Sequence, residues 1–169
     1  MLRILFIFLI CLSAGFSCVK PALKEEIPVA EYKDFEVFNT SDGEGDAILT
    51  IGYEDGDGDL FIKDVQNEGP NVVFSIYIYD ETTKKFKVFI KPNTIPGVNI
   101  VDSSFISVSV KEPADGYYKG KSIKGDIKLP LNQFRPNPEA KIFYYRGYLM
   151  DTDWNMSNIV TTPTFTVDF

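Results

Sequence analysis

The sequence predicts an all-β domain in which two antiparallel sheets pack face to face. Short runs rich in β-branched and aromatic residues recur along the chain and are separated by Gly, Pro, Asp and Asn. Some runs alternate between two faces, with Leu49, Ile51 and Tyr53 on one and Thr50 and Gly52 on the other. Such alternation gives a strand one dry and one solvated face. No long stretch repeats apolar residues with the 3.6-residue period of an amphipathic helix.

Residues 1–17 are predicted to be a secretory signal peptide. Arg3 is the only charge before a nearly unbroken apolar run, residues 4–12, which small residues and then Cys18 follow. A short positive segment, an apolar run of this length and a small-residue exit are typical of such peptides. The run is shorter than the roughly 20 apolar residues of a transmembrane helix. We therefore expect an exported protein.

Cys18 is predicted to be lipidated. Ser17-Cys18 resembles the end of a bacterial lipobox, although Gly15 and Phe16 depart from its usual residues. Cys11 leaves with the signal peptide, so Cys18 is the one cysteine of the mature chain and has no disulfide partner. A thioether bond to lipid accounts for this lone cysteine in an oxidising compartment. We expect a lipid anchor in the bacterial cell envelope, at the outer membrane.

Composition excludes whole classes of function. The mature chain has 16 basic and 24 acidic residues, a net charge of −8, which disfavours binding to nucleic acid. It contains no histidine. Histidine-dependent triads, imidazole metal ligands and the commonest general base are therefore excluded. Thiolate metal sites and Cys–His catalysis are excluded because only one cysteine remains.

Residues 18–29 are predicted to be the lipidated cysteine and a flexible tether, because they contain two prolines and show no periodicity. Residues 30–169 are predicted to be one β-sandwich domain of a size that buries a core. The eight predicted strands are residues 32–38, 47–53, 72–79, 85–91, 105–110, 124–129, 142–150 and 159–167.

Eight short strands in about 140 residues favour an immunoglobulin-like sandwich, with a closed barrel as the alternative. The connection at residues 92–104 is long enough to cross from one sheet to the other. Alternation in the seventh predicted strand places Phe143, Tyr145 and Leu149 in the core.

The densest chemical signal is an acidic loop after the second predicted strand. Asp55, Asp57 and Asp59 alternate there with two glycines, which permit sharp turns. A turning backbone can direct such carboxylates at one Ca²⁺ ion, which takes six to eight oxygens at about 2.3–2.6 Å. An EF-hand is excluded, since Leu60 and Gln66 replace its turn glycine and bidentate glutamate. The alternative is an ordinary turn of Asp and Gly.

A second polar loop joins the last two predicted strands and contains Asp151, Asp153, Trp154 and Asn155. In an immunoglobulin-like sandwich, the loops after strands B and F lie at the same end. We therefore expect a calcium ion shared by the two loops. The alternatives are that both loops are solvated turns, or that they form hydrogen bonds with each other. Trp154 either caps the core or offers a stacking surface to a ligand such as a sugar ring. The candidate metal ligands are Asp55, Asp57, Asp59, Asp151, Asp153 and Asn155.

These two loops resemble a signature of uncharacterised Bacteroidetes lipoproteins. In those proteins a strand runs into Asp-Gly-Asp-Gly-Asp, here residues 55–59, and a late strand runs into an Asp…Asn-x-Ser-Asn loop, here residues 151–158. The final strand contains Thr and Pro, as residues 160–163 do. This chain departs from the pattern at Phe61 and Trp154. The resemblance implies a sandwich fold and surface anchoring, and it implies no known catalytic activity.

The sequence thus favours a membrane-anchored lipoprotein whose sandwich is a non-catalytic interaction domain for an envelope protein or a glycan. One alternative is a structural accessory subunit of an envelope complex, which an exposed apolar patch or open edge strand would favour. A glycan hydrolase that uses two carboxylates is less favoured. Its acid requires a pocket that raises a carboxyl pKa, whereas Gly-rich acidic turns are expected to be open to water.

Overall fold

The computed structural model describes residues 26–39, 45–64, 68–90, 106–113, 118–132, 134 and 140–167. The predicted signal peptide and Cys18 lie outside these residues. Every element with defined bounds is a strand: β1 (Val29–Asn39), β2 (Asp46–Asp55), β3 (Val72–Asp80), β4 (Lys85–Val88), β5 (Ile106–Val108), β6 (Ile123–Asn132), β7 (Ile142–Leu149), β8 (Val160–Thr161) and β9 (Phe165–Thr166). Among the described residues, none forms a helix of the length and apolarity that a membrane span requires.

The strands form two antiparallel sheets, as predicted. One has the order β1-β2-β6, and the other has the order β4-β3-β7-β8. β5 pairs with β3, and β9 pairs with β7. These orders correspond to A-B-E and C′-C-F-G of the immunoglobulin plan. The sheets are separate hydrogen-bonded units, which favours the predicted sandwich over a closed barrel.

The core lies between the sheets and follows the predicted alternation. Leu49 and Ile51 of β2 face Phe74 and Ile76 of β3, and all four are fully buried. Phe143, Tyr145 and Leu149 are buried on β7, which confirms the predicted inward face. Fully burying a side chain of this size stabilises the fold by about 1.5–3 kcal/mol.

Tyr145 carries a polar atom into this core. Its hydroxyl donates a hydrogen bond of 3.0 Å to the backbone carbonyl of Phe134, in the connection that leads from β6 to β7. This bond resembles a tyrosine corner, which fixes the same connection in immunoglobulin-like sandwiches, although it spans 11 residues here. Burial raises the pKa of the Tyr145 phenol far above its ordinary value, so it remains a donor.

The last predicted strand, residues 159–167, is divided into β8 and β9. Pro163 lies between them and has no N–H for a sheet hydrogen bond. The side chain of Thr162 replaces part of the ladder, because its Oγ1 accepts a 3.0 Å hydrogen bond from the Tyr145 amide. Two short strands thus stand where the sequence predicted one.

The two predicted acidic loops lie at the same end of the sandwich, which we call the acidic end. The start of β1 pairs with the end of β2 through Val29 and Glu54, and β6 begins opposite Asp55. In the other sheet, the start of β3 lies opposite the end of β7. The acidic end therefore consists of the start of β1 and residues 55–62, 118–122 and 150–159.

Candidate metal centre

A hydrogen bond to its first residue closes the acidic loop at residues 55–60. Asp55 ends β2, and its Oδ2 accepts a 3.0 Å hydrogen bond from the backbone amide of Leu60. This bond folds the intervening residues into a tight turn. One carboxylate oxygen from each of Asp55, Asp57 and Asp59 then lies within 4.8 Å of the others. Oxygens at that separation can contact a common ion that is about 2.4 Å from each.

Each of the three carboxylates has at least one buried oxygen. Asp55 is fully buried and Asp59 is 4% exposed. Oδ1 of Asp55, Asp57 and Asp59 is inaccessible to solvent, and none of the three atoms accepts a hydrogen bond from the described part of the chain. A buried acceptor without a donor is costly, and a buried charge without a counter-charge is more costly still. Asp55, Asp57 and Asp59 therefore form a group that can hold a metal ion.

The electrostatic surroundings of the loop also disfavour the ionised carboxylates. Burial, together with the neighbouring carboxylates of Asp57 and Asp151, raises the pKa of Asp55 to about 6. Burial, followed by the repulsion of Asp151 and Asp57, raises the pKa of Asp59 to about 7. No basic side chain is among the causes of either shift. A divalent cation would relieve both the repulsion and the loss of solvation.

A neighbouring turn packs tightly against the loop at Gly58. The backbone of Gly58 has a φ of +76°, and a Cβ at this position would lie 2.1 Å from the carbonyl oxygen of Tyr118 and 2.3 Å from that of Lys121. The amide of Gly120 donates to the carbonyl of Asp57. The turn at residues 118–121 therefore covers the acidic loop, and no larger residue fits at position 58.

The second predicted loop also meets the first. Both the amide and the hydroxyl of Thr152 bond to Asp59, at its carbonyl and its Oδ2, each at 3.1 Å. Asp151 is buried, but Asn155 donates to both of its carboxylate oxygens, from its backbone amide at 2.8 Å and its side-chain amide at 2.9 Å. Asp153 is exposed. The closely spaced oxygens thus come from the first loop, while Asp151 supports the second.

Trp154 projects from this second loop into solvent. Its side chain is 65% exposed, and its backbone adopts a φ of +69°. The interpretation that Trp154 caps the core is therefore wrong. Its amide donates to the carbonyl of Asp151, so the turn that positions Asp151 also turns the indole outward. The ring remains available to a ligand or surface.

Asn71 is a buried residue of this end that the sequence reasoning missed. Its side-chain amide donates to the carbonyls of Leu60 at 2.7 Å and Val110 at 3.2 Å, and its Oδ1 accepts from the amide of Val110 at 2.7 Å. Asn71 thereby fixes the exit of the acidic loop to the segment after β5. A lone Asn before a strand carries no pattern that would reveal this role.

A small cavity adjoins the carboxylate cluster, and a larger groove lies on a sheet face. The cavity has a volume of about 140 Å³ and is lined by Phe61 and by polar residues that include Asp59, Lys63 and Lys119. A groove of about 640 Å³ crosses the outer face of the β1-β2-β6 sheet above Gly52 and Gly125. Charges of both signs line the groove: Glu31, Lys33, Glu54, Lys124 and Asp126.

No protein-family model matches the chain, and comparisons with curated proteins and with solved structures found no significant match. The resemblance to Bacteroidetes lipoproteins therefore stays a prediction, as does the lipidation of Cys18.

Proposed function

We propose that the protein is an exported, lipid-anchored protein of the cell envelope, whose sandwich is a non-catalytic interaction domain stabilised at its acidic end by Ca²⁺. The observation that carries the calcium proposal is the set of three buried, unpartnered carboxylate oxygens of Asp55, Asp57 and Asp59. The anchor rests on the sequence features at residues 1–18.

The chemistry of the donors favours calcium over other cations. All three candidate ligands are carboxylates, which suit hard cations, and the chain has no histidine for softer metals. Magnesium usually keeps several of its waters, whereas the three oxygens are inaccessible to solvent. Calcium accepts irregular sets of protein oxygens, so it fits an enclosed turn better.

The surroundings of the cluster support a binding function rather than hydrolysis. Ligand pockets commonly have volumes of about 300–1,000 Å³. The cavity beside Asp59 has a volume of only about 140 Å³, below that range. The larger groove lies on a sheet face, where its mixed charges suit a polar partner such as an envelope protein or a glycan.

Thermal melting of the mature protein tests the cation. Calcium should raise the melting temperature relative to chelator. The rise should be larger than the rise that magnesium causes at the same concentration. At a calcium concentration a hundredfold above Kd, binding should increase the free energy of unfolding by about 2.7 kcal/mol. Asp57→Asn should abolish the response. Asp126→Asn, which removes the same charge from the exposed face of β6, should preserve it. A melting temperature indifferent to calcium would reduce the acidic loop to an ordinary turn.

Metabolic labelling tests the anchor separately. A palmitate analogue should label the wild-type chain and leave Cys18→Ser unlabelled. Equal labelling of both would contradict lipidation at Cys18 without affecting the calcium proposal.

A further inference from the structure

The acidic end carries exposed apolar side chains as well as the carboxylates. Trp154 is 65% exposed, Met156 58% and Ile159 52%. All three belong to the loop between β7 and β8. Ile27 and Val29, at the start of β1, are exposed to a similar degree. Exposed apolar side chains grouped on one loop and one strand start favour an interaction site for a partner that accepts apolar groups.

The two apolar segments are fixed to each other. Asn158 accepts a 2.8 Å hydrogen bond from the amide of Ala30 and donates one of 2.8 Å to its carbonyl. These bonds hold the loop that carries Met156 and Ile159 beside the start of β1. The same loop is held to Asp59 through Thr152. Trp154 and the neighbouring apolar residues therefore belong to one rigidly connected end.

The chain enters the domain at this same end. Val29, the first residue of β1, follows Cys18 by 11 residues, which span at most about 40 Å when fully extended. With lipid on Cys18, the bilayer lies within that distance of the start of β1. The acidic end is therefore the end of the domain at which the lipid tether would be attached.

We propose that the acidic end docks on the bilayer to which the protein is anchored, with Trp154, Met156 and Ile159 entering the headgroup region. This inference rests on the proposed lipid anchor. Tryptophan and its apolar neighbours are suited to the membrane–water interface. The mature chain has a net charge of −8, so neutral phospholipids are the expected surface. A cation bound among the three aspartates would reduce the negative charge at this end.

Fluorescence quenching tests the proposal, because Trp154 is the only tryptophan of the chain. The lipidated mature protein is reconstituted in vesicles of phosphatidylcholine with brominated acyl chains, in the presence of calcium. Trp154 emission should shift to shorter wavelength and fall by about twofold or more, as expected at interfacial depth. The matched control combines Trp154→Phe with Phe38→Trp. Phe38 is 62% exposed near the opposite end of β1, about 30 Å from Val29 at the strand rise.

Quenching of Trp154 but not of the tryptophan at position 38 supports the proposal. Equal quenching at both positions overturns it, because the domain would then lie on its side. Lack of quenching at both positions in a sample whose Cys18 carries lipid, verified by mass spectrometry, overturns this inference alone. A Cys18 without lipid overturns both this inference and the proposed anchor.

Discussion

Thr152 bonds twice to Asp59, from its amide to the carbonyl and from its hydroxyl to Oδ2, each at 3.1 Å. The two residues are 93 positions apart in the chain, and they belong to loops that leave different sheets. The contact therefore ties the sheets together at the acidic end. It also satisfies the second oxygen of a carboxylate whose first oxygen accepts no hydrogen bond from the described residues.

Replacing Thr152 with valine should destabilise the protein by about 1–3 kcal/mol, because the buried Oδ2 of Asp59 loses its hydroxyl donor while the side-chain shape is kept. Chemical denaturation in calcium measures this loss. Thr164→Val, at an exposed position between β8 and β9, is the matched control and should change stability by less than about 0.5 kcal/mol. Equal effects of the two variants would contradict the role of the Thr152 hydroxyl.

Stability in chelator should fall as the pH rises from about 4 to 8. The pKa values of Asp55 and Asp59 are raised by burial to about 6 and about 7, above their ordinary value near 3.9. The folded state therefore binds more protons than the unfolded state between these values, and ionisation at higher pH removes that stability. Calcium stabilises the ionised form, so its effect on the melting temperature should be larger at pH 8 than at pH 5.

Melting curves across this pH range, with calcium or chelator, measure the effect. Asp59→Asn should flatten the decline in chelator, since one of the two raised groups no longer titrates. A wild-type melting temperature in chelator that rises steadily to pH 8 would contradict the electrostatic interpretation of the site.

Gly58→Ala should destabilise the protein by more than about 2 kcal/mol. The substitution adds the cost of a left-handed backbone, about 1–2 kcal/mol, to a clash between its Cβ and two backbone carbonyls. Gly120→Ala is the matched control, since its φ is +83° but a Cβ there meets no atom within 4 Å. Denaturation midpoints compare the two variants. If Gly120→Ala cost as much as Gly58→Ala, backbone conformation alone would explain both losses.

Tyr145→Phe should cost about 1–3 kcal/mol, because the buried carbonyl of Phe134 loses the hydroxyl donor. Tyr144→Phe removes a hydroxyl from the outer face of the same strand and should change stability by less than about 0.5 kcal/mol. Urea denaturation provides the comparison. A neutral Tyr145→Phe would show that the hydroxyl bond does not hold the connection between β6 and β7.

The features that follow from residue periodicity could be predicted from the sequence. Alternation predicted the inward residues of β2 and β7, and the spacing of Asp55, Asp57 and Asp59 predicted a convergent acidic loop. The strand order then placed this loop and the loop after β7 at one end. These features depend on local pattern and on a small set of strand orders.

Features that depend on one specific side-chain contact or turn were not predicted from the sequence. No residue pattern shows that Asn71 bonds to Val110, or that both oxygens of Asp151 accept hydrogen bonds from Asn155. The exposure of Trp154 follows from its left-handed backbone within a particular turn, which composition does not reveal. The division of the last strand could have been predicted from the sequence, because Pro163 lacks the amide hydrogen that a continuous strand needs.

The pairing of Ala30 with Asn158 also bears on the order in which the protein folds. The two residues are separated by 128 positions. During synthesis from the N-terminus, β1 emerges long before the residue that fixes the start of that strand. Because contacts of large sequence separation form slowly, we expect the final closure of this end to belong to the last stage of folding.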